Sequence, residues 1–277
     1  MIVMLRNYRR NTATSTKPSK SKTGLVNRGC YAAALKDCDG GPLTREHYIS
    51  KNLLLRFGNK FTVEGLSWSD SPRELTEKAM TAKVLCKRHN NMLDPLDCTI
   101  GCLHDALLNA HHGGHIGTHD FDGEDLERWA LKVLLGLGAS GNLLVNGQKE
   151  WMEPPDLHLR ILFGEDEMPD GCGFYDIGGL VPALTANLFS IGLERYPAGD
   201  FEAGAVYGMT IRLLDFQFVT SITQRLTPGP QKPEYRPHGF ILGDPERGRV
   251  RLRWNRTPST KVLVLKMRTP EPKKEDS

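Results

Sequence analysis

The uneven placement of the cysteines constrains this chain more than any other feature of its sequence. Five of the six cysteines fall between residues 30 and 102. Within that region Cys86 and His89 are separated by two residues, the spacing at which a tight backbone knuckle directs a thiolate and an imidazole at one zinc ion. Because a closed structural zinc site needs four ligands, the upstream Cys30 and Cys38 complete a predicted Cys3His set. Such a set would join two segments that are distant along the chain.

The sequence context favours metal ligation over disulfide bonding for these cysteines. The first five residues are apolar, but a basic segment follows at once, so we expect no signal peptide. The longest apolar runs, such as 129–139, are too short and too interrupted to span a bilayer. We therefore expect a cytoplasmic protein with no membrane partner, where clustered cysteines are metal ligands more often than disulfides. The alternative is that the four residues are separate buried thiols and a surface histidine.

A second stretch, TREHYISKNLL at 44–54, contains polar residues that are suited to catalysis. Glu46 and His47 are adjacent and follow the turn-like run CDGGP at 38–42. They are either one half of a metal-dependent site or simply two polar residues on a strand. Further along the chain, Asn90 directly follows the knuckle histidine. The order is therefore two cysteines, an acid–histidine pair, and a Cys-x-x-His-Asn run that leads into a helical pattern.

This order of residues resembles that of the HNH endonucleases, a family built on the ββα-metal fold. The nearest pattern is that of the recombination endonuclease VII type, in which an asparagine follows the second knuckle ligand. The resemblance covers about residues 28–97. It implies that His47 is the general base and that Glu46 and Asn90 bind a catalytic divalent ion, Mg²⁺ or Mn²⁺.

The chemistry of phosphodiester hydrolysis is consistent with these roles. A neutral imidazole that titrates near physiological pH can deprotonate the attacking water. A divalent cation stabilises charge on the transition state and on the leaving oxygen. Carboxylate and amide oxygens suit a hard ion such as Mg²⁺, whereas thiolates suit zinc. Because adjacent strand residues point to opposite faces, the backbone must curl for Glu46 and His47 to reach one phosphate.

The sequence departs from the family pattern in three places. The interval from Cys30 to Cys38 contains seven residues, where a knuckle usually has two. The acid is Glu46 rather than the more usual aspartate. Thr81 stands where the middle asparagine of the HNH motif is expected, and that asparagine normally braces the loop that bears the catalytic histidine. These departures put the ligation by the upstream cysteines and the efficiency of catalysis in question.

Charge and composition predict four parts along the chain. The first 36 residues contain eight Lys or Arg and no acid, and a Ser/Thr/Lys/Pro-rich stretch within them cannot bury a core. A Gly/His loop near residue 115 is the best candidate for a domain boundary. We expect a basic disordered leader (1–24), a zinc-binding HNH nuclease domain (25–120), an accessory or target-recognition domain (121–268) and a disordered tail (269–277).

The hydrophobic periodicity predicts an α+β fold. Residues 89–112 have apolar residues at near-helical spacing, and Pro95 either starts a second helix or kinks the first. Residues 123–142 read as a helix with acids in its first turn and glycines where it ends. The remainder reads as strands of a mostly antiparallel sheet, at 157–164, 184–194, 204–219, 249–254 and 261–267. We thus expect a zinc-stabilised ββα-metal domain followed by a mostly antiparallel α+β domain.

Two further groups of residues are weaker candidates for binding. Cys98 and Cys102 lie on one helix face with His104 near, so they form either a second metal site or part of an apolar core. Arginines recur at every second position near residue 250 and are followed by an aromatic residue. On a strand they would lie on one face, where they either contact successive phosphates of a nucleic-acid backbone or line a solvated sheet face. We assign DNA contacts to Arg45, Lys51, Lys87, Arg88, Arg249, Arg251 and Arg253.

The residues and the resemblance together predict a metal-dependent HNH endonuclease that hydrolyses phosphodiester bonds in DNA. His47 is its expected base, one Mg²⁺-type ion its expected cofactor, and zinc its structural metal. DNA as substrate and a phage or defence context follow from the resemblance alone, and a homodimer stays open because many nucleases of this fold are dimers. The alternative is a catalytically inactive zinc-binding module that recognises nucleic acid or protein.

Overall fold

The structure, a computed structural model, has the α+β class that the sequence predicts. It describes residues 21–69, 71–111, 117–145, 148–150, 152–176, 189–195, 206–214, 216–223, 234–242, 248–255 and 262–265. The predicted tail and most of the predicted leader lie outside these residues. The division into a nuclease domain and an accessory domain stays a prediction.

The helices of the described residues include one long helix on each side of the predicted boundary. They are α1 (Lys51–Leu54), α2 (Lys87–Met92), α3 (Asp94–His111), α4 (Gly123–Ala139) and α5 (Asp156–Leu162), with 3-10 turns at Ala33–Leu35, Leu55–Phe57 and Glu77–Met80. Pro95 is the second residue of α3, so it lies at the start of a second helix. Backbone N–H groups in the first turn of a helix have no partner within the helix, so a proline there costs no hydrogen bond. Within this described portion, no helix combines the length and the apolar character that crossing a membrane requires.

The described strands are short, as expected for sheets that are connected by many turns. They are β1 (Leu43–His47), β2 (Phe61–Val63), β3 (Arg73–Leu75), β4 (Thr81–Cys86), β5 (Gly117–Asp122), β6 (Leu143–Val145), β7 (Gln148–Glu150), β8 (Gly173–Asp176), β9 (Phe189–Arg195), β10 (Val206–Leu213), β11 (Phe216–Ser221), β12 (Glu234–Tyr235), β13 (Gly239–Leu242), β14 (Gly248–Arg253) and β15 (Val262–Leu265).

The larger of the two main sheets is antiparallel throughout, as predicted. Its strand order is β12-β8-β11-β10-β9. The four-stranded sheet, β15-β13-β14-β5, is mixed instead, because β13 pairs with β15 and β14 pairs with β5 in parallel. Parallel neighbours need long connections, and β5 precedes β14 by more than a hundred residues, so local patterns could not reveal this pairing.

The strand expected at 157–164 is wrong, because this segment forms helix α5. Its sequence alternates apolar and polar residues over a few positions, which suggested a period of two. The buried side chains are instead His158, Leu159, Ile161 and Leu162. That spacing matches the helical period, and it lets α5 pack against α4 and against the 3-10 turn at Ala33–Leu35. Tertiary packing therefore decided between two readings that the short run left open.

Helix α4 lies at the centre of the described fold. From residue 129 to residue 139 its side chains are buried on every face, as expected for a run that is apolar all round except at Lys132. It packs against α3 and α5 and against strands of both larger sheets, including β5, β8, β10, β11 and β14. The buried core consequently continues across the predicted domain boundary near residue 120.

A buried ion pair attaches α4 to the segment before β13. The Nε and Nη2 atoms of Arg236 donate to the two carboxylate oxygens of Glu127 at 2.9 Å each. Glu127 Oε1 also accepts the backbone N–H of Phe174 at 2.7 Å. The Arg236 guanidinium lies 5.3 Å from the ring centre of Trp254, where a cation–π contact is favourable. Both charged side chains are almost fully buried. Removal of either one would therefore leave the other buried without a charged partner.

We expect Arg236→Met to lower the free energy of unfolding by about 3–5 kcal/mol, because it leaves the Glu127 charge buried and unpaired. Urea unfolding monitored by circular dichroism measures the change. The matched control is Arg251→Met, which breaks an ion pair with Asp120 whose side chains are 51% and 32% exposed. The control should cost at most about 1 kcal/mol. Equal losses in the two variants would contradict a special role for the buried pair.

Candidate metal centre

The two segments that the sequence analysis singled out lie side by side. Strand β1 pairs antiparallel with β4, so that Leu43 faces Cys86 and His47 faces Thr81. Helix α2 begins directly after β4, at Lys87, and contacts both strands. The residues between β1 and β4 form α1, the β2–β3 hairpin and short 3-10 turns. A two-stranded antiparallel sheet therefore leads straight into a helix that carries His89 and Asn90.

Cys30, Cys38, Cys86 and His89 form one buried cluster. The Nδ1 atom of His89 lies 3.2 Å from the sulfur of Cys86, 3.5 Å from that of Cys30 and 3.9 Å from that of Cys38. All four ligand atoms lie within 4.8 Å of one another. The cluster can thus hold a metal ion such as zinc, with four protein ligands and with its ligand set closed to solvent.

The geometry of the cluster fits tetrahedral zinc. Zinc–sulfur and zinc–nitrogen bonds of about 2.3 and 2.0 Å at a tetrahedral angle separate the sulfur and nitrogen atoms by about 3.5 Å. The three observed separations between His89 Nδ1 and the sulfur atoms are 3.2, 3.5 and 3.9 Å, which are close to that value. Cys3His is also a ligand set that structural zinc sites use.

The wide interval between the two upstream cysteines is taken up by a compact turn. A 3-10 turn at Ala33–Leu35 follows Cys30, and Lys36 then adopts a left-handed backbone conformation with φ of 54°. The chain reverses there, so that Cys38 returns to the same point as Cys30. Sequence spacing alone did not reveal this, because the reversal depends on a non-glycine residue in a conformation that such residues seldom adopt.

Burial shifts the pKa values of Cys30, Cys38 and His89. It raises the pKa of the Cys30 thiol to about 12 and also raises the pKa of Cys38. It lowers the pKa of His89, so that the imidazole is neutral and its nitrogen is available as a ligand. Because zinc binds thiolates, metal binding here must release protons, and the affinity must fall as the pH falls.

Neighbouring groups hold the cluster in place from two sides. The His89 ring packs on Phe163 with 4.9 Å between ring centres, which connects the cluster to the residue after α5. Arg88 pairs with Asp37 at 2.8 Å, and its backbone N–H donates to Asp39. Burial alone would raise the pKa of Asp37, but the Arg88 guanidinium contributes to a net lowering. Arg88, predicted to contact DNA, thus has a partner within the protein.

Glu46 and His47 lie on opposite faces of β1, as alternating strand residues should. Glu46 is 5% exposed, whereas His47 is only partly buried. The Glu46 carboxylate lies 2.7 Å from Nζ of Lys132, which also lies 2.5 Å from an oxygen of Asp97. The structure therefore brings Glu46 together with a lysine of α4. Its predicted role as a ligand of a catalytic ion stays a prediction.

A hydrogen-bond network extends from this buried ion cluster. The Ser50 hydroxyl donates to Asp97 at 2.5 Å, and the indole N–H of Trp129 donates to Ser50 at 2.6 Å. Burial raises the pKa of Glu46 to about 7, against the lowering effect of Lys132. Burial would lower the pKa of Lys132, but the carboxylates of Glu46 and Asp97 outweigh it and raise the pKa.

Lys132 was not predicted to be a functional residue, although the sequence contains one indication that it is buried beside a negative charge. Lys132 is the single charged residue in the apolar run at 129–139. A lysine inside a helix that is apolar on every face must be buried, and buried lysines are rarely without a charged partner. The pattern could have predicted a buried carboxylate near α4, but it could not have identified which one.

One ring nitrogen of His47 makes no hydrogen bond to the described residues. Its Nε2 atom is buried and has no hydrogen-bond partner within the described ranges of the chain. Burial lowers the pKa of the imidazole, and the positive charges of Lys132 and Lys51 lower it further. The ring is therefore neutral near pH 7 and can accept a proton.

Asn90 lies at the start of α2, against β1. Its side-chain N–H2 donates to the Thr44 hydroxyl at 3.0 Å and to the Arg45 carbonyl at 3.2 Å. These bonds leave the Oδ1 atom of Asn90 as the atom that can bind a cation.

The remaining predicted residues do not form a second site in the described parts of the chain. Cys98 is exposed, Cys102 is partly buried and His104 is buried against the edge of the Phe57 ring. Among the residues that the structure describes, no group of three or more close ligand atoms lies there. The predicted alternative, packing in an apolar core, describes Cys102, which packs against the core, but it is wrong for Cys98, which is exposed.

The residues assigned to DNA contacts fall into two exposed groups. Arg249, Arg251 and Arg253 are exposed on one face of β14, as the period of two predicted. Asp120 of the neighbouring strand pairs with Arg251 and Arg253, at 2.6 and 3.1 Å. The other exposed residues lie near β1 and α2, namely Arg45, Lys51 and Lys87.

Comparisons with known proteins leave the chain unassigned to a family. No protein-family model matches it, and neither the curated proteins nor the solved structures include a match. The function is therefore inferred from the residues and their geometry.

We expect the purified protein to contain about one zinc ion per chain, bound by the Cys3His cluster. Cys86→Ala should lose the metal and lower the melting temperature, because three ligands cannot close the site. Elemental analysis by mass spectrometry and thermal unfolding measure the two effects. Cys172→Ala is the matched control, because Cys172 is a buried thiol outside the cluster. Zinc retained by Cys86→Ala, or lost equally by the control, would contradict this assignment.

Proposed function

We propose that the chain is a zinc-stabilised, metal-dependent endonuclease of the HNH type that hydrolyses phosphodiester bonds in DNA. The observation that carries the proposal is the order β1–β4–α2, with the Cys3His cluster where β4 meets α2 and His47 at the far end of β1. That order supports the proposal, because the resemblance implies a ββα-metal unit with strands and helix in this sequence. DNA as the substrate, a homodimer and a phage or defence context rest on the resemblance alone.

His47 is the proposed general base. A base must be neutral, must have a free nitrogen and must be reachable by water. The lowered pKa of His47 supports the first requirement, and its Nε2 atom, without a hydrogen-bond partner in the described ranges, supports the second. The residue is partly exposed but the Nε2 atom itself is buried, so water reaches that atom only if the ring or its surroundings move. The imidazole would accept a proton from the water that attacks the phosphorus atom.

The proposed catalytic ion, Mg²⁺ or Mn²⁺, has a partial set of ligands. Asn90 offers its Oδ1 atom, because its N–H2 group is already bound to β1. Glu46 offers a carboxylate that Lys132 now neutralises. When bound, such an ion stabilises negative charge on the leaving 3′-oxygen.

The second candidate function is a catalytically inactive zinc-binding module that recognises nucleic acid or protein. The burial of Glu46 in an ion pair favours it, because a module without catalysis needs no accessible carboxylate. This function keeps the zinc cluster and treats His47 as a structural residue. The two candidates differ in whether His47 has a chemical role.

We expect wild-type protein with Mg²⁺ or Mn²⁺ to cleave plasmid DNA, and His47→Ala to lose at least about 100-fold in rate, the usual contribution of a general base. Gel electrophoresis of timed reactions measures the loss, and zinc content shows that the variant is folded. His119→Ala, an exposed histidine on β5, is the control and should cleave normally. An intact plasmid with every metal in the wild type, or full activity in His47→Ala, would favour the recognition module.

We expect the cleavage rate to decline at acidic pH with a midpoint below 6.5, the ordinary pKa of histidine. The base acts only when neutral, and the pKa of His47 is lowered by burial and by nearby lysines. Activity is therefore retained as the pH falls, until the pH passes through that lowered pKa. Lys51→Gln removes one of these charges and should move the midpoint to higher pH. A nuclear magnetic resonance titration of His47 measures the same pKa, and a value above 6.5 would contradict the prediction.

A further inference from the structure

We propose that the ammonium group of Lys132 is the resident cation of the Glu46–Asp97 carboxylate pair, so that a divalent ion reaches Glu46 only by displacing it. This inference deepens the proposed function, on which it rests for the identity of the displacing ion. It makes Lys132 a positioning residue, contributed by α4, that lies outside the β1–β4–α2 unit. Metal loading of the candidate nuclease site would thereby depend on a helix of the central core.

The position of Lys132 Nζ is the first observation. It lies between one carboxylate of β1 and one of α3, at 2.7 Å from Glu46 Oε1 and 2.5 Å from Asp97 Oδ1. A cation shared by two carboxylates from separate elements is the arrangement that a bridging divalent ion also adopts. The two kinds of cation therefore compete for the same oxygens.

The balance of charge is the second observation. Two carboxylates and one ammonium are held where the Lys132 side chain is 1% exposed and that of Glu46 is 7% exposed. Asp94, one turn from Asp97, adds a further negative charge whose influence reaches Glu46. Whenever Glu46 is ionised, the site thus has more negative than positive charge, which favours a cation of higher charge than an ammonium.

The geometry of the Glu46 contact is the third observation. Glu46 Oε1 is buried and lacks a hydrogen bond of good geometry among the described residues, although Lys132 Nζ lies 2.7 Å away. Asp97, in contrast, accepts hydrogen bonds from both Lys132 and Ser50. Asp97 therefore anchors Lys132, whereas Glu46 Oε1 depends on Lys132 as the cation beside it. Removal of the ammonium group would leave this buried oxygen open to another cation.

The test compares Mn²⁺ binding by zinc-loaded wild-type protein and Lys132→Met, with electron paramagnetic resonance to count free Mn²⁺. The substitution removes the charge and retains most of the side-chain volume. We expect the variant to bind Mn²⁺ at least about 10-fold more tightly, because its carboxylates lack a cation. Lys132→Met combined with Glu46→Gln should bind less tightly than the single variant. Equal affinities in wild type and Lys132→Met would overturn the proposal.

A second measurement decides the matter if Lys132→Met is poorly folded. Removal of one partner of a buried ion pair destabilises a protein, so the variant should melt at a lower temperature than the wild type. Mn²⁺ should then raise its melting temperature more than it raises that of the wild type, because binding to the folded state stabilises it. The control is Lys83→Met, an exposed lysine on β4. The absence of a Mn²⁺-specific rescue, at matched ionic strength, would overturn the proposal.

The readouts keep this proposal separate from the proposed nuclease function. Mn²⁺ affinity and melting temperature are measured without DNA, so an inactive protein can still support cation exchange at Glu46. Conversely, plasmid cleavage that depends on His47 can occur while Lys132→Met binds Mn²⁺ no better than wild type. In that case the nuclease stands and the resident-cation role of Lys132 fails.

Discussion

The antiparallel pairing of β1 with β4 is the interaction on which the candidate site depends. Its register places Cys86 at one end of the two-stranded sheet and His47 at the other. A slip of one residue would exchange the faces of Glu46 and His47, because side chains alternate along a strand. The Cys3His cluster opposes such a slip, since Cys86 ends β4 and must meet two upstream thiols at one point. The convergence of these ligand residues and the pairing of the two strands thus support each other.

Helix α4 is oriented by two buried charges rather than by its apolar surface. Within the run 129–139 apolar residues lie on every side of the helix, so hydrophobic burial of that run alone specifies the rotation of the helix about its axis only weakly. Glu127 and Lys132 are five residues apart, which places them about 140° apart around the helix. Glu127 pairs with Arg236, and Lys132 pairs with Glu46 and Asp97. Rotation would leave both charges buried without partners, at a cost that few other changes match.

The same carboxylate serves stability and, in the proposed function, catalysis. Glu46 helps to neutralise Lys132 in the resting fold, whereas a catalytic ion would need its oxygens. Functional sites often conflict with the local rules of stability, because groups that are arranged for chemistry are seldom arranged for the lowest energy. A buried ion cluster beside a half-buried, neutral imidazole has this character. The two candidate functions therefore differ in whether Glu46 ever leaves its ion pair with Lys132, whereas both include the Cys3His cluster.

The sequence by itself determined the features that depend on neighbouring residues. The convergence of Cys86 and His89, the acids in the first turn of α4 and the period of two along β14 were predicted and found, and of the two predictions for Pro95 the start of a second helix is the one observed. Each is a local pattern whose geometry follows from the rise and turn of one element. The strand expected at 157–164 was wrong because a short alternating run fits two periods, and only packing chooses between them.

Only the tertiary structure decided which distant residues meet. Eighty-six positions separate Glu46 from Lys132 along the chain, and no periodicity connects them. The convergence of Cys30 and Cys38 needed the left-handed turn at Lys36, and the parallel pairing of β5 with β14 needed a long return of the chain. The physical reason is common to all three. Local patterns specify the direction of side chains within an element, whereas the partner of a buried charge is set by how whole elements pack.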